Sequence, residues 1–132
     1  MNKRGWIIPV LIVAFNALAI FVKWSSLPEV LPAHFDLQGN ASGTMQRNML
    51  LVYPMIGALI CLIAYFFARV KPLFHTALII LTSGIGLILL SSSLVTLSSG
   101  TMPVFMLAEP VILLATIAGV VVSIVKSRRN AR

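Results

Sequence analysis

Apolar residues run through this chain in four long stretches, separated by two short polar connections and one long one. A membrane-spanning helix needs about 20 predominantly apolar residues, with a lower limit near 17, to cross a hydrocarbon core about 30 Å thick. Residues 6–22, 50–68, 76–97 and 104–125 meet that demand, and the pattern predicts a transmembrane helix in each. Glu109 and Pro110 are the interruptions in the fourth. Pro9 and Pro54 are expected to kink helices 1 and 2, which neighbouring helices in a bundle accommodate. The four spans take up most of the chain, so a single membrane domain over residues 1–132 is expected: an all-α, four-helix transmembrane bundle. The first stretch also has the layout of a signal peptide, with Asn2-Lys3-Arg4 ahead of the apolar run and a small-x-small site at Ala17-Leu18-Ala19. Because the run continues through Ile20, Phe21 and Val22, an uncleaved anchor is the expectation.

Composition agrees with the pattern. The 132 residues are 59% apolar and 10% charged, where an ordinary soluble domain is about a quarter charged. That excludes a soluble globular domain and a disordered tail. The single cysteine, Cys61, excludes a disulfide framework and a thiolate zinc centre. A net charge of +7 suggests a polyanionic partner until its distribution is read. Lys3, Arg4, Arg69, Lys71, Lys126, Arg128, Arg129 and Arg132 fall on one side of the predicted spans, and only Lys23 and Arg47 on the other. Basic loops stay inside, so both termini and the middle connection are expected in the cytoplasm of a cell whose membrane the chain crosses four times. All three acids, Glu29, Asp36 and Glu109, lie on or near the outer side. Charge dispersed among loops has no folded platform, so no nucleic-acid partner is expected; the basic tail sets topology and suits anionic lipid.

Between helices in lipid, close backbone approach and polar contacts carry the packing. Gly57, Cys61, Ala64 and Ala68 share one face of helix 2, and Ala115, Gly119 and Ser123 form a small-residue seam on helix 4. Helix 3 holds Thr82, Ser83, Gly84, Gly86, Ser91, Ser92, Ser93, Thr96, Ser98 and Ser99. These hydroxyls are expected to bond the carbonyl one turn back and to pack tightly, rather than to line a pathway. Asn16 is expected to hydrogen-bond between helices. His75, at the start of helix 3, is expected to be solvated and without a special role.

The connection 23–49 far exceeds the roughly 2–8 residues usual between bundle helices, and a loop of that length either folds or functions. Pro28 and Pro32 impose extended backbone ahead of Ala33-His34-Phe35-Asp36-Leu37, which alternates apolar and polar residues as a strand does. Gly39-Asn40 and Ser42-Gly43 are turn signals, so a short hairpin-like outer cap is predicted, with Phe35 and Leu37 packed on the mouth of the bundle. The run Leu27-Pro28, Pro32, His34-Phe35, Gly39-Asn40 and Gly43, just after a first transmembrane helix, resembles the domain of unknown function 1648 family. Its pattern is an LP, then P-x-H-F, then G-x-P-D-G-W and a closing Lys, whose place Arg47 takes. Ala41, Ser42 and Thr44 depart from it, standing where Pro, Asp and Trp are usual. The resemblance implies a bacterial membrane protein similar to the N-terminal part of SdpI-type immunity proteins, with a role in immunity to, or signalling of, an envelope-active peptide or toxin. The additional membrane domain of those proteins is expected to be missing from a chain of four helices.

Catalytic patterns are absent: there is no H-E-x-x-H, no G-x-S-x-G and no phosphate-binding glycine loop. No enzymatic activity and no cofactor are therefore expected. The ionisable groups that attract attention are His34 and Asp36 on one predicted strand face, with Glu29 nearby. Histidine and carboxylates bind divalent metals, and a histidine titrating near its unperturbed value of about 6.5 senses pH. With one His and no recognisable ligand spacing, a structural role for His34 is preferred to metal binding. Glu109 has two placements. If helix 4 begins at Val104, the carboxyl is partly buried beneath the loop, able to pair with Arg47 or His34, at a cost of about 2–3 kcal/mol unless compensated. If it begins at Pro110, a favourable first helical position, Glu109 is interfacial. The first is preferred. Three functions follow: a non-enzymatic protein that binds or senses a peptide, a toxin or another membrane protein at its outer loop; an accessory or small transporter component with an ion or substrate path near Glu109; and a metal-dependent protein using Glu29, His34 and Asp36.

Overall fold

Each apolar stretch forms a helix. The computed structural model describes residues 3–33, 38, 40, 42–98 and 104–132, with 104–106 described in backbone only. Helix α1 spans Ile7–Lys23, α2 Val52–Val70, α3 His75–Leu97 and α4 Val104–Asn130. Together with the 3-10 turns that flank them, all four are long and apolar enough to cross a membrane. The limits depart from the hydrophobic pattern in two places. Helix α4 runs past Val125 to Asn130, where Arg128 and Arg129 complement the negative end of the helix dipole. Helix α2 starts at Val52 because Arg47–Leu51 forms a 3-10 turn ahead of it.

The prolines are placed more gently than their sequence positions suggest. Pro9 and Pro54 each occupy the third residue of an α-helix, in the first turn, where no N–H has to be donated within the helix. Each follows a 3-10 turn, Lys3–Trp6 or Arg47–Leu51. Neither ring needs to break an interior helical bond, so the expected kinks have no cause there. Pro110 is different, lying inside α4.

Contacts between named residues define the topology. Gly57 of α2 faces Val13 of α1, and Trp6 packs with Ala64, so α1 and α2 are antiparallel. Gly5 meets Ile79 and Gly86 meets Ile12, so α1 and α3 run parallel. Gly84 meets Thr116 and Gly119 meets Ile80, making α3 and α4 antiparallel. The order is up-down-up-down, with both termini at one end and the 23–49 connection at the other.

Helix α3 is central, packing against α1, α2 and α4, while α4 leans on α3 and on the 3-10 turn Pro72–Phe74. Small and hydroxyl-bearing side chains make this possible, since three neighbours have to approach one backbone. A Cβ on Gly84 would collide with the Thr116 side chain, and one on Gly57 would stand 3.0 Å from Val13 Cγ2. Several hydroxyls serve the helix itself: Thr82 donates to the Leu78 carbonyl at 2.8 Å, Ser93 to Leu89 at 3.0 Å and Thr116 to Ile112 at 2.7 Å. The face of α2 is as expected, with Gly57, Cys61, Ala64 and Ala68 all buried. The seam of α4 is met in part, for Gly119 packs on Ile80 of α3. Ala115 is exposed, and Thr116 is the residue that presses on Gly84. Asn16 is buried, yet its Oδ1 has no partner, as is true of Ser83 Oγ. Among the described residues, the Asn16 oxygen makes no interhelical bond.

At the end that carries the termini, Trp6, Ala64 and Ala68 form a buried cluster flanked by Tyr65, Leu78 and Ile79. The Trp6 indole N–H donates to His75 Nε2 at 3.1 Å. Its ring meets Tyr65 edge-on at 5.5 Å between centroids and His75 at 6.0 Å. His75 is therefore engaged rather than idle, tying α3 to the start of the chain.

Candidate functional site at the loop end

The connection after α1 is organised by two short strands, β1 at Val30–Pro32 and β2 at Thr44–Gln46, paired antiparallel with Leu31 opposite Met45. The strand foreseen over Ala33–Leu37 begins earlier in the chain, and His34, Phe35, Asp36, Leu37 and Gly39 lie outside the described residues. The ladder continues beyond both ends of the strands: Ala33 N–H donates to the Gly43 carbonyl at 2.8 Å and Arg47 N–H to the Glu29 carbonyl at 2.8 Å. Antiparallel pairs alternate between bonded and non-bonded. With 33/43 and 29/47 bonded, Pro32 falls in a non-bonded pair opposite Thr44, where its missing N–H costs the ladder nothing.

One face of this hairpin is apolar and closes the bundle. Leu31, Ile20 and Leu50 are almost wholly buried together, with Trp24, Leu27, Met45, Tyr53 and Leu97 packed around them. The cluster joins α1, both strands, the turn before α2 and the last residue of α3. Fully burying a leucine is worth about 1.5–3 kcal/mol, so Leu31 is a substantial anchor for a three-residue strand.

Arg47 supplies the polar half of the anchorage. Its guanidinium carbon stands 4.8 Å from the centroid of the Trp24 ring, and one terminal nitrogen donates to the Leu27 carbonyl at 3.2 Å. Trp24 is held by a 3-10 turn, Trp24–Ser26, in which Leu27 N–H returns to the Trp24 carbonyl. Leu27 thus contributes a side chain to the apolar cluster and a carbonyl to Arg47. Pro28 and Glu29 are exposed, and Glu29, Val30, Gln46, Arg47 and Asn48 border a polar recess of about 280 Å³. Arg47 Nε is buried within this arrangement and has no partner. The base of the loop is therefore fixed from both sides, and beyond it Gln38, Asn40 and Ser42 are exposed.

The sequence-marked residues divide accordingly. Leu27, Pro32, Gly43 and Arg47 belong to the base of the hairpin, and Leu27 and Arg47 meet directly. His34 and Asp36, the groups considered for metal, lie outside the described residues; among the described residues no group of three His, Cys, Asp or Glu side chains converges. Helix α4 does begin at Val104, and Glu109 is half-buried in it. Its partner is the Ser92 hydroxyl, which donates to Oε1 at 2.8 Å, not Arg47, whose guanidinium is committed to Trp24 and Leu27. Two residues that matter were not singled out. Trp24 had a detectable signal, an aromatic at the end of a span followed by a basic residue in the same loop. The Trp6–His75 bond had none, because its partners are 69 residues apart.

Residues 11–58 match the family model described as domain of unknown function DUF1648. The match runs from within α1, through the whole hairpin, to within α2, and so covers the loop-end anchorage but neither α3 nor α4. No curated protein and no solved structure matches the chain significantly.

Proposed function

Taking residues 11–58 as a DUF1648 segment within a multi-pass membrane protein, we propose that the chain acts without catalysis, binding or sensing an envelope-active peptide or toxin through its hairpin. In this reading the termini face the cytoplasm of a bacterial cell and the loop end faces outward. The clustering of basic residues at the end that carries the termini supports that orientation. The observation that carries the reading is the double anchorage of the loop, with Leu31 sunk in the bundle and Arg47 clamped on Trp24 and Leu27. A loop held at its base has the two ends of its binding segment fixed in advance, which lowers the ordering cost of binding. It also transmits a force on the tip to α1, α2 and α3, whose side chains share the Leu31 cluster.

The test is sensitivity. A host carrying the chain is challenged with membrane-active peptides beside a host that lacks it, and beside one in which residues 34–42 are replaced by Gly and Ser. Altered sensitivity or transcription that depends on the tip supports the reading. Identical responses in all three hosts overturn it.

The Ser92–Glu109 contact favours a second reading, an accessory or transporter component with an ion path along α3 and α4. Purified chain in liposomes should then pass an ion that the Glu109→Gln variant does not, and equal, background flux from both removes the reading.

A further inference from the structure

Across the hairpin ladder, Glu29 and Arg47 stand directly opposite each other, joined by the 2.8 Å bond from the Arg47 N–H to the Glu29 carbonyl. Opposite charges in that position ordinarily pair. Here they do not, because the Arg47 side chain is drawn to the Trp24 ring and the Leu27 carbonyl. Glu29 is exposed, and among the described residues its carboxylate makes no ion pair and no hydrogen bond. A guanidinium has five N–H donors, of which one is spent on Leu27. Both residues border the polar recess of about 280 Å³, together with Val30 and the side-chain amides of Gln46 and Asn48. Small-molecule sites begin at about 300 Å³, so the recess has room for a small polar group and not for a folded partner.

The recess lies where the chain enters the membrane. Arg47 and Asn48 belong to the turn that leads into α2, and Trp24 follows the end of α1, where amphipathic rings meet the membrane surface. That is the level of lipid head groups. Four residues after Asn48, Val52 opens an apolar groove of about 510 Å³ that runs by Met55 and Leu59 to Leu62, all exposed on α2. From Val52 to Leu62 is about 15 Å at 1.5 Å per residue, half of a hydrocarbon core about 30 Å thick. A recess with one acid and one base thus adjoins an apolar track as deep as one leaflet. We propose that the two together bind a phospholipid whose head group is phosphoethanolamine. Glu29 takes the ammonium, Arg47 and the side-chain N–H groups of Gln46 and Asn48 take the phosphate, and one acyl chain follows the groove on α2. A primary ammonium donates hydrogen bonds to a carboxylate, and charge-assisted bonds of that kind are the strong ones. A trimethylammonium head has no N–H to give and is recognised by aromatic cages; among the described residues no aromatic side chain borders the recess. A head group with negative charge alone would leave Glu29 unpaired beside it. The inference concerns lipid and stands apart from the peptide reading of the hairpin.

The experiment uses the full chain, purified in detergent and freed of lipid. Dioleoyl phospholipids with ethanolamine, choline or glycerol head groups are added back in turn, and bound lipid is counted by native mass spectrometry. One ethanolamine lipid should bind about tenfold more tightly than either of the others, the scale of one charge-assisted bond. Glu29→Gln alters an exposed side chain that makes no bond among the described residues, and should remove that preference. Glycerophosphoethanolamine, the same head without acyl chains, should compete only weakly. A second measurement needs no variant. In nanodiscs of choline lipid, adding ethanolamine lipid should slow hydrogen exchange at the Arg47 amide and leave the amides around Trp6 unchanged. Equal binding of the three lipids, a preference that survives Glu29→Gln, full competition by the chain-free head, or exchange at Arg47 indifferent to the head group overturns the proposal.

Discussion

At the end of the bundle that carries the termini, Trp6 is buried and works through its edge, donating its N–H to His75 across the helix interface. At the loop end, Trp24 is half-buried and works through its face, beneath the Arg47 guanidinium. Both tryptophans lie where a span ends, the usual station for an amphipathic ring. They differ in what they hold. Trp6 ties α1 to α2 and α3, elements already packed along their lengths. Trp24 and Arg47 hold a hairpin whose remaining attachment is the cluster around Leu31. One end is a closure within the bundle, and the other is a mount for something outside it.

The strongest way to break that contrast is Leu31→Ala. Leu31 is 1% exposed and fills the centre of the loop-end cluster, so its truncation should cost about 2–5 kcal/mol of local stability. Protease cleavage within the connection 23–49 should accelerate while the Trp6 end remains intact. Equal loosening at both ends would mean the hairpin is part of the bundle core rather than a mount upon it.

Arg47→Met comes next. It removes a cation–π contact worth about 0.5–2 kcal/mol and a charge-assisted bond to the Leu27 carbonyl of about 1.5–3 kcal/mol. It also removes the unpartnered Nε, whose burial is unfavourable. The net loss should be about 2 kcal/mol, read from hydrogen exchange at the backbone amides of positions 33 and 47, the two that extend the ladder. Unchanged protection would assign the whole anchorage to Leu31.

The smaller effect at the other end is His75→Ala. Loss of the acceptor leaves the Trp6 N–H without its partner, which should cost about 1 kcal/mol in thermal unfolding. A double-mutant cycle with Trp6→Phe should show non-additivity, since the two residues share one bond. Additive losses would reduce the contact to coincidental packing.

How much of this was readable beforehand follows from how local each cause is. Four spans need only length and apolarity, and the α2 face of Gly57, Cys61, Ala64 and Ala68 needs only helical periodicity. The loop motif pointed to Leu27, Pro32, Gly43 and Arg47 as a group, though not to the Leu27 carbonyl as the atom Arg47 seeks. What stayed hidden was the relation between helices. Choosing Thr116 over Ala115 as the α4 contact depends on how α4 is rotated against Gly84, a property of two surfaces. The engagement of His75 depends on the parallel alignment of α1 with α3. Glu109 was visible as an anomaly, but its partner Ser92 was one hydroxyl among many on α3.

The finest distinction comes from making the same substitution at both tryptophans. Trp24→Phe keeps an aromatic face under Arg47, and among the described residues the Trp24 indole N–H makes no hydrogen bond that would be lost. Because phenylalanine is a weaker cation–π partner than tryptophan, the cost should be about 0.5 kcal/mol. Trp6→Phe keeps the edge-on packing against Tyr65 but deletes the donor to His75, and should cost more, about 1 kcal/mol. The greater burial of Trp6 adds to that difference, so the comparison is made again with His75→Ala as background; there the cost of Trp6→Phe should shrink while that of Trp24→Phe stays the same. The chain contains two tryptophans, so each variant leaves one fluorophore, reporting the opposite end from the one altered. Emission from Trp24 should be indifferent to the loss of Trp6, and emission from Trp6 to the loss of Trp24. If either spectrum shifts, the two ends are coupled through α1, and the loop end is linked to the terminal closure across the length of the bundle.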